Sequence, residues 1–255
     1  MSTYNHKRVQ AFDPSVLTSP PLAGDVKIKA PDMDTPEYLT ERLQMVENQI
    51  RWRGIVDPAI LRVMRQVPRH RFVPAGIQAN AYRDCALPIG WGQTISQPYI
   101  IALMTSLLNL RGDENVLEVG TGSGYQAAVL AGLARQVTTL ELIPELAEAA
   151  RQVLRSLSIN NVDVVCADGS QGYPQAAPYA AILVTAGAPQ VPHALFEQLT
   201  PDGRMVIPTG ERGSQVLELW TQKQGKWQAK SVLPVAFVPL RGGAGWRSSE
   251  WPGKD

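Results

Sequence analysis

Branched apolar residues run into alternating glycines along Val116-Leu117-Glu118-Val119-Gly120-Thr121-Gly122-Ser123-Gly124-Tyr125, and no other stretch narrows the fold so far. The apolar part reads as a buried parallel strand, the glycines as a tight turn, and Gln126 to Leu133 as the helix that follows. Without a Cβ, the turn takes dihedrals closed to other residues and lets a ligand come close to the backbone. An acid, Glu141, follows roughly 20 residues after the first glycine, where nucleotide-type folds place the carboxylate that grips ribose hydroxyls. It closes a second apolar run, Gln136 to Leu140.

The spacing narrows the ligand. A dinucleotide fingerprint needs G-x-G-x-x-G, so that a helix N-terminus can hold pyrophosphate. Here the third glycine comes one place early, at Gly124, and Tyr125 blocks the other register. Glu118, beside the turn, would repel pyrophosphate and tolerate a sulfonium or an amino group. The pattern resembles the first motif of Rossmann-like methyltransferases that use S-adenosylmethionine. The plain alternative is a structural turn.

From Asn115 onward, strands are expected near 115–119, 136–141, 162–167, 180–186 and 203–208, and helices near 125–134, 144–157 and 191–199. This alternation predicts an α/β fold, and the resemblance of the glycine motif makes it one of the Rossmann-like methyltransferase type. It has a mostly parallel central sheet with helices on both faces. Two later segments, 215–221 and 226–240, read as antiparallel C-terminal strands. Gly120 to Gly124, Glu141 and Asp168-Gly169 all fall at predicted C-terminal strand ends, where such sheets bind ligands. Asp168 is placed to accept from an adenine amino group, or serves only as a turn residue before Gly169.

Upstream, Thr35 caps a helix whose expected apolar face is Leu39, Leu43, Val46 and Ile50, ended by Gly54. Asp57-Pro58 opens a second helix that Pro68 breaks. Residues 1–35 read as a Pro-rich N-terminal arm. Residues 36–241 read as the methyltransferase domain, divided into a helical and substrate-loop region (36–110) and a Rossmann-like core (111–241). Residues 242–255 form a tail bearing Trp246 and Trp251. The net charge is +1 and no basic block offers a phosphate track, so nucleic acid is a poor candidate substrate. No membrane span or leader is evident, which points to a soluble cytoplasmic protein. Cys85 and Cys166 lack metal-site spacing, and Cys166 reads as a small core residue. His6, His70 and His193 read as surface or capping residues. Oligomeric state is not legible.

The segment Ala86-Leu-Pro-Ile-Gly-Trp-Gly-Gln-Thr-Ile-Ser-Gln-Pro-Tyr-Ile100 is too rich in Gly and Pro for an element interior. Thr94 to Gln97 is expected to cap the next helix and to overlie the glycine turn. Together with Arg69-His-Arg-Phe-Val-Pro74, Tyr82-Arg-Asp84, Ile182-Leu-Val-Thr-Ala186 and Phe237-Val-Pro-Leu240, it closely resembles the protein-L-isoaspartate (D-aspartate) O-methyltransferases. The resemblance runs from about Leu43 to Leu240. Its Gln-Thr-Ile-Ser block is far more specific than the glycine turn.

That resemblance implies a protein-repair enzyme. It would move a methyl group from S-adenosylmethionine to the α-carboxyl of L-isoaspartyl, and some D-aspartyl, residues of aged proteins. It assigns Ser96 as the active-site serine, with helix capping as the alternative. It assigns cofactor contacts to Thr94, Ile95, Gln97, Glu118, Gly120, Thr121, Gly122, Ser123, Gly124, Glu141, Asp168 and Gly169. Substrate contacts are expected at Ser96 and Thr185 and at Asp84, for which a local turn role is the equal alternative, and no metal is expected. The family usually carries an acid where this chain has Ala180, which motivates two alternatives. One is a carboxyl methyltransferase of the same fold acting on a dedicated peptide aspartate or a small acid. The other is a cofactor-binding protein with little turnover. A carboxylate acceptor is already ionised at neutral pH, so the chemistry asks for no general base.

Overall fold

The computed structural model describes residues 34–247. Most of the N-terminal arm, His6 and Trp251 lie outside these residues. The chain opens with α1 (Pro36–Met45), continues through a π turn to Gly54, and enters α2 (Pro58–Gln66). Thr35 accepts from the Tyr38 N–H at 3.4 Å, and Asp57 from the Ala59 N–H at 2.8 Å, so both expected N-caps form. The buried face of α1 differs from the periodic expectation. Leu39 and Leu43 are each 43% exposed, while Arg42, Met45, Val46 and Ile50 face inward. Arg42 is drawn in because Asp34, Tyr82 and the Arg65 carbonyl satisfy its guanidinium.

A small antiparallel hairpin, β1 (Leu87–Gly90) with β2 (Gln93–Ile95), leads into α3 (Pro98–Leu108). Gln97, the last residue of the expected Thr94–Gln97 cap segment, occupies the α3 N-cap but makes no side-chain bond there, so Ser96 is not the cap. The rest alternates as predicted: β3 (Asn115–Val119), α4 (Tyr125–Ala131), β4 (Gln136–Glu141), α5 (Pro144–Ser156), β5 (Val162–Cys166), β6 (Tyr179–Val184), α6 (His193–Glu197) and β7 (Leu199–Glu211). The chain ends in β8 (Ser214–Lys223) and β9 (Lys226–Val235).

The seven strands lie in the order β5-β4-β3-β6-β7-β8-β9. β3 to β7 are parallel, and β8 and β9 antiparallel. The chain lays down β3, β4 and β5 in one direction and returns to place β6 on the other side of β3. The switch point therefore lies between β3 and β6, where ligands bind in open α/β sheets. Side chains alternate across the sheet. Val116, Val137 and Leu183 join α3, α4 and α5 in one core. Leu117, Val119, Leu140 and Val184 join Leu195 of α6 in the other.

Two further expectations change. Cys166 ends the edge strand β5 and is exposed rather than buried; both cysteines are free. His70 is buried, stacked on Tyr38 at 4.1 Å, with Nδ1 2.8 Å from the Tyr82 hydroxyl. No helix among the described residues is long and apolar enough to cross a membrane.

Candidate active site

Two cavities meet at the C-terminal ends of the parallel strands. The first, about 610 Å³, is lined by Gly120 and Gly122 of the turn, Glu141, Ile143 and Gly169, with Leu240 and Arg241 closing it from the C-terminal side. The second, about 820 Å³, is lined by Ser96, Gln97, Arg53 and the stretch Leu233–Val238. Thr94 and Thr185 line both. A ligand in the first cavity and one in the second would face each other across these two threonines.

The floor of the first cavity is built by the glycine turn. The Gly120 and Thr121 N–H groups donate to the Leu140 carbonyl at 2.8 and 3.1 Å, folding the turn over the end of β4. Gly120 has φ +99°, and a Cβ there would run into Thr185 Oγ1. That hydroxyl is already committed, donating to the Val119 and Gly120 carbonyls at 3.0 and 2.6 Å. Glu141 lies on the cavity wall. Its two oxygens accept the Gly122 N–H at 2.8 Å and the Ile143 N–H at 3.0 Å. Each carboxylate oxygen has two lone pairs, so acceptor capacity remains for a vicinal diol.

Asp168 sits one residue outside the lining, before Gly169. Its Oδ1 accepts from the Ser170 N–H and hydroxyl at 2.9 and 2.7 Å, and its Oδ2 from the Gly243 N–H at 2.7 Å. It thus fills its turn role and also anchors the chain after β9. Gly242 permits this approach, since a Cβ there would enter the Asp168 carboxylate. Trp246 fastens the same segment by donating its indole N–H to the Gly187 carbonyl at 3.0 Å.

Several predicted contacts do not reach the cavities. Glu118 is 0% exposed and shares the α-helical face of β3 with Val116, beneath the turn. Expected at the cofactor, it is instead a buried acid that lines neither cavity. Thr139 donates to its Oε2 at 2.5 Å, and Oε1 has no partner. The Thr121 and Thr139 hydroxyls share a further hydrogen bond at 2.7 Å. Burial pushes the Glu118 carboxyl up to about 8, so its protonated form predominates at neutral pH. Thr121 and Ile95 are likewise buried, and Ser123 and Gly124 lie outside the lining. Gly124 instead packs against Ala150 of α5. Asp84 lies outside both linings; its carboxylate pairs with Arg53 at 3.1 Å and its carbonyl accepts from Gln97 at 3.2 Å. Ala180 sits near the start of β6, the end away from the cleft, so the missing acid touches neither cavity.

Sequence reasoning missed Val238–Arg241 and Leu142-Ile143 as wall residues. Their positions depend on how β9 and the loop after β4 return to the cleft, which no local motif encodes.

A sequence model of protein-L-isoaspartate(D-aspartate) O-methyltransferase matches residues 40–245. A protein-L-isoaspartate O-methyltransferase of Synechococcus sp. is 50% identical over 229 residues, spanning 87% of this chain and 93% of that protein. One from Methanoculleus marisnigri is 49% identical over 86% of this chain and all of its own length (100%). Among solved structures, a protein-L-isoaspartate O-methyltransferase superposes with a TM-score of 0.73 at 28% identity, covering 81% of this chain and 67% of that one. A Plasmodium falciparum structure, described as a beta-aspartate methyltransferase of this kind in complex with S-adenosyl-L-homocysteine, gives 0.69 at 27% identity, over 78% and 98% of the two chains. With a family match over most of its length and relatives at half identity, this chain belongs to the protein-L-isoaspartate(D-aspartate) O-methyltransferase family.

Proposed function

We propose that this protein transfers the methyl group of S-adenosylmethionine to the free α-carboxyl of L-isoaspartyl residues in damaged proteins. The observation that carries the reading is the pair of cavities joined at Thr94 and Thr185, one walled by a diol-accepting carboxylate and the other by Ser96. In this reading Glu141 takes the ribose hydroxyls, and Gly120 and Gly122 admit the cofactor backbone-close. Asp168, through the loop it organises with Gly169, shapes the adenine end. The sulfonium then stands at the threonine junction. The cofactor supplies the activated methyl group. The remaining work is alignment and exclusion of water around an acceptor oxygen that is already ionised. Ser96, whose hydroxyl no described residue engages, orients that carboxylate by hydrogen bonding.

One wall of the second cavity is the stretch Leu233–Val238, at and just past the end of β9. A peptide lying along it is recognised through its backbone, which suits a substrate defined by a main-chain lesion and not by flanking side chains. The lesion itself is an extra backbone methylene with a displaced carboxylate. The test is uptake of labelled methyl by an isoaspartyl peptide and by its aspartyl twin. Labelling of the isoaspartyl peptide alone is expected; equal labelling would overturn the reading.

A further inference from the structure

Arg69 is the largest fully buried side chain of the described residues, and no described carboxylate pairs with it. Its Nε donates to the Ala81 carbonyl at 2.7 Å and its Nη2 to the Ser96 carbonyl at 2.7 Å, while Nη1 has no partner. The guanidinium lies 4.9 Å from the ring centroid of Tyr125, the first residue of α4 and the neighbour of Gly124. Burial pulls its pKa down to about 10. A buried cation without an anion is costly, and a hydrophobic side chain of similar volume is usually tolerated as well or better in such a place. Against that cost stand the Ala81 and Ser96 carbonyls, which its removal would leave without donors, so burial energetics alone give an incomplete account of an arginine here.

Its contacts give a better one. Ser96 sits between the end of β2 at Ile95 and the start of α3 at Pro98, outside the hairpin register and without a capping role. The hydrogen bond that fixes its carbonyl comes from Arg69. The same planar group rests on the aromatic ring that begins the helix after the glycine turn. A planar fork holds two carbonyls at set angles, which a lysine ammonium does not. One residue thus spans the substrate-side loop and the cofactor-side helix start.

We infer that Arg69 is a positioning residue for methyl transfer, holding the Ser96 main chain in register with the glycine turn so that the serine hydroxyl meets the acceptor carboxylate in line with the donor. The inference rests on the role assigned to Ser96. An error of about 1 Å in such alignment costs on the order of a hundredfold in rate.

The experiment is a double-mutant cycle in the full chain with Ser96→Ala, Arg69→Lys, Arg69→Met and the two double variants. It reads kcat and KM for an isoaspartyl peptide, S-adenosylhomocysteine affinity by calorimetry, and Tm. Each Arg69 variant is expected to lose about ten- to a hundredfold in kcat, with cofactor affinity nearly unchanged. In the Ser96→Ala background the same substitutions should cost almost nothing further, because the group they position is gone. Fully multiplicative losses in the double variants, or wild-type kcat in either folded single variant, would overturn the proposal. So would failure of both Arg69 variants to fold, which would make the residue structural. An unchanged kcat in Ser96→Ala alone would instead remove the role of Ser96, and the inference with it.

Discussion

Replacing Glu118 by glutamine should change how stability depends on pH, in a direction set by burial. The carboxyl is wholly enclosed, its only bond comes from Thr139, and its pKa rises from 4.5 to about 8. Between these values the unfolded chain releases the proton and the folded chain keeps it. A folded pKa raised in this way contributes stability that is complete below pH 4.5 and declines as pH rises toward 8. Each unit is worth about 1.4 kcal/mol, so the loss across that window is on the order of 5 kcal/mol. Glu118→Gln keeps the shape and the acceptor for Thr139 and removes the titration. Its amide N–H₂ meets the position where Oε1 already lacks a partner, which costs about 1 kcal/mol at all pH values. Urea denaturation of the cofactor-free protein from pH 5 to 8.5 measures both terms. The variant should be no more stable than wild type near pH 5 and clearly more stable near pH 8. A difference between the two proteins that stays constant with pH would refute the reasoning.

Burial acts oppositely on His70, lowering its pKa to about 4, so its contribution is present above pH 6.5 and lost as pH falls toward 4. His70→Gln should flatten that acid limb in the same denaturation series, and an unchanged limb would remove the histidine from the account. Glu141→Ala should weaken S-adenosylhomocysteine binding by about 1–3 kcal/mol, the scale of a hydrogen bond to a charged group. It also frees the Gly122 N–H; calorimetry giving wild-type affinity would place the ribose elsewhere. Gly120→Ala puts a methyl group against Thr185 Oγ1 at φ +99°. It should lower Tm and abolish measurable cofactor binding together, and loss of neither would contradict the described turn.

Much of this molecule was legible from residue order. β3, the glycine turn, α4 and β4 carry strong local signals: a branched apolar run, glycines at positive φ, and a second apolar run ending in an acid. Thr35 and Asp57 announced their helices because capping is a local interaction. The misreadings have a common cause. Glu118 stands next to the turn in sequence, but strand alternation sends it beneath the sheet's ligand end. Leu39 and Leu43 fit a helical stripe, yet Arg42 is buried by partners 8, 23 and 40 residues away. His70 reads as a surface or capping residue, and the packing of Tyr38 and Tyr82 around it makes it interior. The walls at Leu142-Ile143 and Val238–Arg241 escaped notice for the same reason. Long-range packing placed them, and no spacing rule records it.

At the centre of the account lies a donor held between Glu141 and the threonine pair, pointing toward Ser96. A crystal structure of the protein with S-adenosylhomocysteine tests this most directly. The account predicts the ribose hydroxyls on Glu141 and the sulfur at the junction of Thr94 and Thr185, open toward the cavity that Ser96 lines. A ligand bound away from the ends of β3, β4 and β6, or one whose sulfur faces away from Ser96, would contradict it.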